Sequence, residues 1–159
     1  MTPAINLVKK NKIKHSVHEY QHDTSAIGSG ESYGQEAANK MGVNAEQIFK
    51  TLIVALDNKE LVVAILPVSS MLSMKQVAKA AKAKKAVMAD KQAVERSTGY
   101  VIGGVSPLGQ KKKLRSFIDD SAQQYETIYV SAGKRGLEIE LSPNDLADLL
   151  SAKLFELSC

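Results

Sequence analysis

A lysine interrupts an otherwise apolar stretch, and it is the side chain in this sequence whose position most needs a chemical explanation. Lys50 lies in FKTLIVAL at 49–56, a pattern that predicts a buried β-strand. Because strand side chains alternate between two faces, Lys50 shares its face with Leu52 and Val54, which should pack against a core. Burying an unpaired ammonium group costs about 3 kcal/mol or more of folding free energy. Lys50 therefore either reaches solvent at the strand end or meets an anion, water or a ligand.

Two glycine-rich segments carry a second chemical signal. Residues 97–109 combine a predicted short strand at 100–102 with four glycines, and residues 131–136, SAGKRG, place the hydroxyl of Ser131 beside two glycines and two cations. Glycine lets backbone N–H groups approach a ligand closely, as an oxyanion or phosphate site requires. Neither segment has the spacing of a Walker loop or of a dinucleotide fingerprint. Ordinary turn-forming glycines and an anion-binding loop both remain open.

Lysines form two clusters. The first recurs at positions i, i+4 and i+7 of a predicted helix at 74–83, which puts its members on one face, and the second is a run of three. The first lysine cluster comprises Lys75, Lys79 and Lys82, and the second comprises Lys111, Lys112 and Lys113. A solvated helix face and a charged loop would explain both clusters. The alternative is a surface that follows a phosphate backbone.

The remaining composition argues against several classes of site. The chain has 159 residues, 44% of them hydrophobic, and one cysteine, Cys159, at its last position, where a thiol makes a poor nucleophile. His15 and His18 differ by three positions in a predicted strand and so face opposite sides, which argues against a metal site. No stretch approaches the roughly 18 apolar residues of a membrane span, and the N-terminus lacks a signal-peptide core. We expect a cytoplasmic protein without metal or cofactor, in which catalysis would rely on positioning and polar stabilisation.

Helices and strands alternate irregularly along the chain. Residues 21–33 are rich in Gly, Ser and Asp and predict an exposed loop able to act as a flap. Helices are predicted at 3–12, 35–41, 74–83, 91–98 and 143–150, and strands at 14–20, 49–56, 61–66, 85–88, 100–102, 127–131 and 137–141. This order favours an α+β fold with flanking helices around a mixed β-sheet that forms a partly closed barrel. Neither a repeat nor a linker is evident, so a single domain is expected over residues 1–159.

Three segments taken together resemble the YbaK family of bacterial Cys-tRNA(Pro)/Cys-tRNA(Cys) deacylases, relatives of the prolyl-tRNA synthetase editing domain. They are FKTL at 49–52, STGYVIGGVSPLG at 97–109 and YVSAGKRG at 129–136. The similarity spans nearly the whole chain and includes TPA at 2–4, GQEAA at 34–38 and MAD at 88–90. Two departures are visible: Ala132-Gly133 stands where Gly-Gly is expected, and the 21–33 loop is longer than usual.

The resemblance implies a role for individual residues. It implies that Lys50 meets the 3′-terminal nucleotide near the scissile ester, that the Gly103 backbone lines the pocket and that Ser131 supplies a hydroxyl group there. Further substrate-binding positions are expected at Tyr20, Thr51, Gly104, Gly133, Lys134 and Arg135. The two lysine clusters would then contact the tRNA backbone. The implied partners are aminoacylated proline tRNA and prolyl-tRNA synthetase.

The resemblance also implies a mechanism that needs no nucleophile from the enzyme. The thiol of a cysteine mischarged onto proline tRNA attacks its own ester carbonyl, the tRNA leaves, and the cyclic thioester hydrolyses later. Two alternatives remain open. The chain could deacylate another mischarged tRNA such as alanyl-tRNA(Pro), or it could bind tRNA without catalysis.

Overall fold

The computed structural model of the protein describes residues 1–21, 33–57 and 59–159. Its helices are α1 (Pro3–Lys10), α2 (Tyr33–Met41), α3 (Met74–Ala81), α4 (Lys91–Thr98) and α5 (Pro143–Leu150). Its strands are β1 (His15–Glu19), β2 (Phe49–Leu56), β3 (Leu61–Pro67), β4 (Ala86–Met88), β5 (Arg115–Asp119), β6 (Ile128–Lys134), β7 (Leu137–Leu141) and β8 (Lys153–Phe155). The predicted flap at 21–33, apart from its two end residues, lies outside the described residues. Within the described ranges, none of the helices has the length and apolar character needed to cross a membrane.

The strands form two sheets. The larger has the order β4-β2-β3-β5-β8, with antiparallel pairing of β2 to β3 and β4 and parallel pairing of β5 to β3 and β8. The smaller is antiparallel, in the order β1-β7-β6, and a bridge between Ile48 and Tyr129 joins the two. The predicted α+β fold with a mixed sheet is confirmed. The two sheets are not closed on themselves, so a partly closed barrel describes them only loosely.

Side-chain caps fix where the helices begin. The hydroxyl groups of Thr2 and Ser73 accept hydrogen bonds from N–H groups in the first turns of α1 and α3, as Ser142 does for α5. The helix predicted at 74–83 ends earlier than expected, because Lys82 adopts a left-handed conformation and closes α3. The helix predicted at 3–12 likewise ends at Lys10.

The structure corrects the prediction at three short elements. No strand forms at 100–102, because the Tyr100 hydroxyl group donates to Leu108 O at 2.6 Å and the segment folds back on itself. Strands β5 and β8 were not predicted. In β5 only Phe117 and Ile118 are large apolar residues, so it lacks the length of pattern that marks β2. It is nevertheless a buried strand between two parallel neighbours.

The larger sheet is apolar on both faces. On one face, Phe49 and Ile53 of β2 enter the main core together with residues of α1, α5, β6 and β7. On the other face, Val54 and Leu56 pack beneath α3. The predicted assignment of the Lys50 face to a core is thus correct for the second half of β2. The first half of that strand lies next to a cavity.

Candidate active site

A cavity of about 260 Å³ lies where the start of β2 meets the smaller sheet. Its walls come from β2, the start of α2, the loop at 102–105 and strands β6 and β7. Polar side chains reach it from several elements, and they are Tyr20, Tyr33, Lys50, Thr51, Ser131 and Glu138. A larger and more open depression, near the start of α5, is lined by none of the residues expected to act on or bind a substrate. The cavity is therefore the candidate active site.

Lys50 is held at this cavity with its charge available. Its side chain is half-buried, its Nζ donates to Ser70 O at 2.6 Å, and burial lowers the pKa of its ammonium group. An ammonium group has three donors, so the bond to one carbonyl leaves two for a ligand. No carboxylate among residues 1–21, 33–57 and 59–159 forms an ion pair with it. Lys50 can thus bind an anion such as a phosphate group.

Thr51 is a buried hydroxyl group without a hydrogen bond. Its Oγ1 is shielded from solvent and has no hydrogen-bond partner among the described residues. Leaving a buried polar group unpaired costs about 1–3 kcal/mol, and such groups call for an explanation in a native structure. Because Thr51 also lines the cavity, a ligand that shifts the local packing could supply the missing partner.

Glu138 is a cavity residue that the sequence analysis missed. It lies on β7 directly across from Ser131 on β6, is 6% exposed and makes no hydrogen bond to any described residue. Burial raises the pKa of its carboxyl group from 4.5 to about 8. The pKa of Tyr20 rises to about 12, first through burial and then through the nearby Glu138. The register of the short β6–β7 hairpin was the available signal, since it sets Glu138 beside Ser131.

Ser131 and the bulge that follows it shape the cavity edge. The Gly133 N–H group donates to Ser131 Oγ at 3.1 Å, and β6 is irregular between Ser131 and Lys134. The hydroxyl proton of Ser131 thus remains free to be donated to a ligand. Ala132, which departs from the expected Gly-Gly, is fully buried in the main core. That departure therefore leaves the cavity lining unchanged.

The glycine-rich loop needs its glycines for close packing. Gly103 lines the cavity at φ +99°, and a Cβ there would lie 2.9 Å from the ring of Tyr33. A Cβ at Gly104 would lie 2.9 Å from the Cα of Lys134, a backbone atom that cannot easily move. Gly103 thus forms the wall and Gly104 fixes the loop against the β6–β7 turn.

Arg135 is engaged in a buried ion pair. Its Nε and Nη2 donate to the two carboxylate oxygens of Glu36 at 2.8 and 2.9 Å, and its guanidinium group lies 5.1 Å from the Tyr33 ring centre. This pair joins α2 to the β6–β7 turn.

Four residues with an expected substrate-binding role do not line the cavity: Gly104, Gly133, Lys134 and Arg135. That role stays a prediction for them.

The lysine clusters lie outside the cavity, on exposed surface. The first cluster runs along α3, which begins just after the segment whose Ser70 carbonyl binds Lys50. The second follows the end of α4, since the Lys111 and Lys112 N–H groups bond to Thr98 O and Ser97 O. Among the histidines, His18 pairs with Glu140 at 2.8 Å, and His22 lies outside the described residues.

Comparison with known proteins identifies relatives over most of the chain. A family model described as an aminoacyl-tRNA editing domain matches residues 30–149. The chain is 34% identical over 157 residues to "Putative Cys-tRNA(Pro)/Cys-tRNA(Cys) deacylase EbsC" of Enterococcus faecalis, which covers 99% of this chain and 93% of that protein. It is 22% identical to the uncharacterized protein YwhH of Bacillus subtilis, over 85% of each chain.

Solved structures share the fold. Hypothetical protein APE2540 superposes with a TM-score of 0.86 at 23% identity over 99% of both chains. A structure described as "a putative trans-editing enzyme for prolyl tRNA synthetase" superposes with a TM-score of 0.84 at 19% identity, over 99% of this chain and 95% of that one. At these identities the likeness establishes the fold alone.

Proposed function

Since this chain belongs to the aminoacyl-tRNA editing domain family, we propose that it hydrolyses cysteinyl-tRNA(Pro) in trans and so prevents cysteine from being incorporated at proline codons. The observation that carries this proposal is the convergence of Lys50, Thr51, Ser131 and Glu138 on one small cavity. Its volume of about 260 Å³ lies below the roughly 300–1,000 Å³ of pockets for drug-sized ligands. It suits the aminoacyl end of a tRNA, with the rest of the nucleic acid outside.

The proposed reaction uses the thiol of the substrate. Its sulfur attacks the ester carbonyl carbon, a C–S bond forms, the bond to the ribose oxygen breaks, and the thiol proton passes to that oxygen. The products are tRNA with a free hydroxyl group and a cyclic thioester, which water then hydrolyses to cysteine. Proximity contributes about 7 kcal/mol or more to such an intramolecular step. The one cysteine of the enzyme, Cys159, is exposed at the last position and takes no part.

Three cavity residues have a role in this proposal. Lys50 binds a phosphate oxygen of the 3′-terminal nucleotide, the Ser131 hydroxyl group donates to the ester carbonyl oxygen, and the Gly103 backbone forms the wall that holds the side chain in place. A donor aimed at the developing oxyanion favours the transition state over the ground state. The free hydroxyl proton of Ser131 and the free charge of Lys50 support these assignments.

Thiol assistance would explain selectivity that size cannot provide. An apolar pocket separates side chains that differ by one small group by only about 1–3 kcal/mol. Alanine and proline esters lack the attacking sulfur, so even when bound in the cavity they would not be cleaved by this route. The alternative substrate, alanyl-tRNA(Pro), would require a water molecule as nucleophile.

A substrate panel tests the proposed chemistry. Wild-type protein is assayed with cysteinyl-, S-methylcysteinyl-, alanyl- and prolyl-tRNA(Pro), and each rate is divided by the uncatalysed rate of the same ester. We expect hydrolysis of the cysteinyl ester only. Rapid hydrolysis of the S-methylcysteinyl or alanyl ester would refute thiol assistance and favour a water nucleophile. Binding without turnover of any ester would favour the non-catalytic alternative.

Recruitment by prolyl-tRNA synthetase is the second part of the proposal. A cavity that holds the aminoacyl end makes no contact with the tRNA body. The enzyme alone would therefore also hydrolyse cysteinyl-tRNA(Cys), which is correctly charged. We expect that adding prolyl-tRNA synthetase raises the ratio of cysteinyl-tRNA(Pro) to cysteinyl-tRNA(Cys) hydrolysis. An unchanged ratio would argue that selection arises elsewhere.

A further inference from the structure

Glu138 is a carboxyl group of the cavity to which the proposed chemistry assigns no role. Its carboxyl group is 6% exposed, lines the cavity and has no hydrogen bond to a described residue. A buried carboxyl group without a partner is costly in either protonation state, because its oxygens lose water and gain nothing in return. Its neighbour two positions along β7, Glu140, is bonded to both His18 and Thr127. Of the two glutamates, Glu138 is therefore the one whose carboxyl group can accept a hydrogen bond from a ligand without losing one to the protein.

The groups around Glu138 favour a cationic donor. Tyr20 interacts with it electrostatically, and Ser131 lies opposite it on β6. From β2, Lys50 also lines the cavity, but no ion pair between Lys50 and Glu138 is present in the described part of the chain. Other titratable groups near Glu138 already have partners, since His18, its register partner on β1, is bonded to Glu140, and Glu36 is paired with Arg135. Within the described ranges, the cavity thus has a cation from β2 and an acid from β7 that form no ion pair.

An aminoacyl ester has the complementary charges. Its nucleotide is anionic, and its α-amino group, on the carbon next to the ester carbonyl, is the one basic group of a cysteinyl moiety. We propose that the carboxylate of Glu138 binds this α-amino group and so orients the ester for attack, an assignment that rests on the proposed function. With Lys50 on the nucleotide, the two ends of the ester would be fixed by opposite charges.

Proton balance is straightforward in this assignment. The free carboxyl group has a pKa of about 8, and α-amino groups titrate at about 7.7–8.0. Near neutral pH, binding an ammonium group therefore displaces the carboxyl proton to solvent, or binding a neutral amine transfers that proton to nitrogen. Either route ends with an ammonium–carboxylate pair. Esters whose amino group is blocked, including peptidyl-tRNA, would lack this contact and be spared.

The test removes only the amino group from the substrate. Cysteinyl-tRNA(Pro) is compared with 3-mercaptopropionyl-tRNA(Pro), which keeps both thiol and ester, and each kcat/KM is divided by the uncatalysed rate. For wild type we expect a loss of about ten- to a hundredfold, the range for a hydrogen bond to a charged group. Glu138→Gln should lose as much with the cysteinyl ester and little more with the mercaptopropionyl ester. Glu140→Gln, the matched control, should behave as wild type.

Equal hydrolysis of the two esters by wild type would overturn the assignment without requiring any variant to fold. A binding experiment separates this failure from that of the proposed function. Calorimetry with the non-hydrolysable 3′-cysteinylamino and 3′-mercaptopropionylamino adenosines needs no turnover. If wild type hydrolyses no aminoacyl-tRNA but binds the amine-bearing analogue at least tenfold more tightly, the function fails and the amine site stands. Equal binding of both analogues would refute the amine site.

Discussion

Glu138 costs the folded protein stability wherever its carboxyl group is ionised. The carboxyl is buried, and its pKa rises from 4.5 to about 8 because burial disfavours the charged form. Groups with such shifts that lie in clefts are candidates for function, because selection for stability alone would replace them. An amide or an apolar residue on β7 would fold at lower cost.

The cost gives a pH dependence of known sign. The pKa of Glu138 is higher in the folded than in the unfolded chain, so its contribution to the free energy of unfolding is complete below about pH 4.5 and lost as pH rises to about 8. The loss is at most about 1.4 kcal/mol for each pH unit in that window. We expect Glu138→Gln to gain stability relative to wild type between pH 5 and 8, as measured by urea unfolding.

Glu140→Gln is the matched control for that experiment. The Thr127 hydroxyl bond is the main cause that lowers the pKa of Glu140, so Glu140 stabilises the folded state above its unfolded pKa and loses this contribution in acid. Its replacement should therefore show no relative gain at pH 8. A pH-independent difference between wild type and Glu138→Gln would contradict a raised pKa at Glu138.

The sequence pattern marks Lys50 as unusual but does not mark Glu138, and the difference has a physical reason. A charge inside an apolar strand stands out in any sequence, and alternation assigns the second half of that strand face to a core, whereas Lys50 itself lies at the cavity. β7 instead alternates Leu-Glu-Ile-Glu-Leu, so both glutamates look like solvent-facing residues. Glu138 is nevertheless buried, beside a cavity that it shares with residues of α2 and β2, and this tertiary arrangement is not visible in the local pattern.

At the scale of elements, the Arg135–Glu36 pair joins α2 to the β6–β7 turn. Side chains of the two residues are 14% and 3% exposed, and the contact is bidentate. Tyr33, at the start of α2, contacts both the guanidinium group and the Cβ position of Gly103. The pair therefore holds the wall of the cavity in place.

Removing one member of the pair should destabilise more than removing both. Arg135→Met removes the two hydrogen bonds that the buried carboxylate of Glu36 accepts from the guanidinium group, whereas Arg135→Met with Glu36→Leu replaces the pair by apolar contacts. We expect a lower urea midpoint for the single variant and partial recovery in the double variant. A single variant as stable as wild type but with weakened tRNA binding would instead support the predicted substrate contact of Arg135.

Elements with strong local signals were predicted and weak ones were not. Thr2, Ser73 and Ser142 precede their helices with side chains that bond the first turn, which is a local property of the sequence. The segment 100–102 has strand-like residues, but the hydrogen bond from the Tyr100 hydroxyl group to Leu108 O folds it back on itself instead. Strands β5 and β8 are fixed by parallel pairing with distant partners, which short patterns do not reveal.

At the scale of the molecule, the basic surface should guide the tRNA. α3 begins shortly after Ser70, whose carbonyl group contacts Lys50, and the lysines of the first cluster are exposed. We expect the triple variant Lys75→Ala, Lys79→Ala and Lys82→Ala to weaken tRNA binding. The slope of log K against log salt concentration should fall by about 0.7–0.9 for each lost phosphate contact.

Three exposed lysines elsewhere provide a control with the same net charge. They are Lys10 at the end of α1, Lys14 before β1 and Lys153 on β8. Their triple alanine variant should keep the wild-type slope within about half a unit. Equal slopes for the two triple variants would indicate that the first lysine cluster is a solvated helix face that does not contact the tRNA backbone. That residues 1–159 form a single domain stays a prediction, which a single transition in the urea unfolding of the wild-type protein would support.

Deacylation of cysteinyl-tRNA(Pro) by wild type, Lys50→Ala and Cys159→Ala tests the central claim most directly. We predict that wild type and Cys159→Ala hydrolyse the ester equally, and that kcat/KM of Lys50→Ala falls by about tenfold or more through loss of a charged contact to the nucleotide. Such a result would support a cavity built around Lys50, with the sulfur supplied by the substrate. Loss of activity in Cys159→Ala, or full activity in Lys50→Ala, would contradict it.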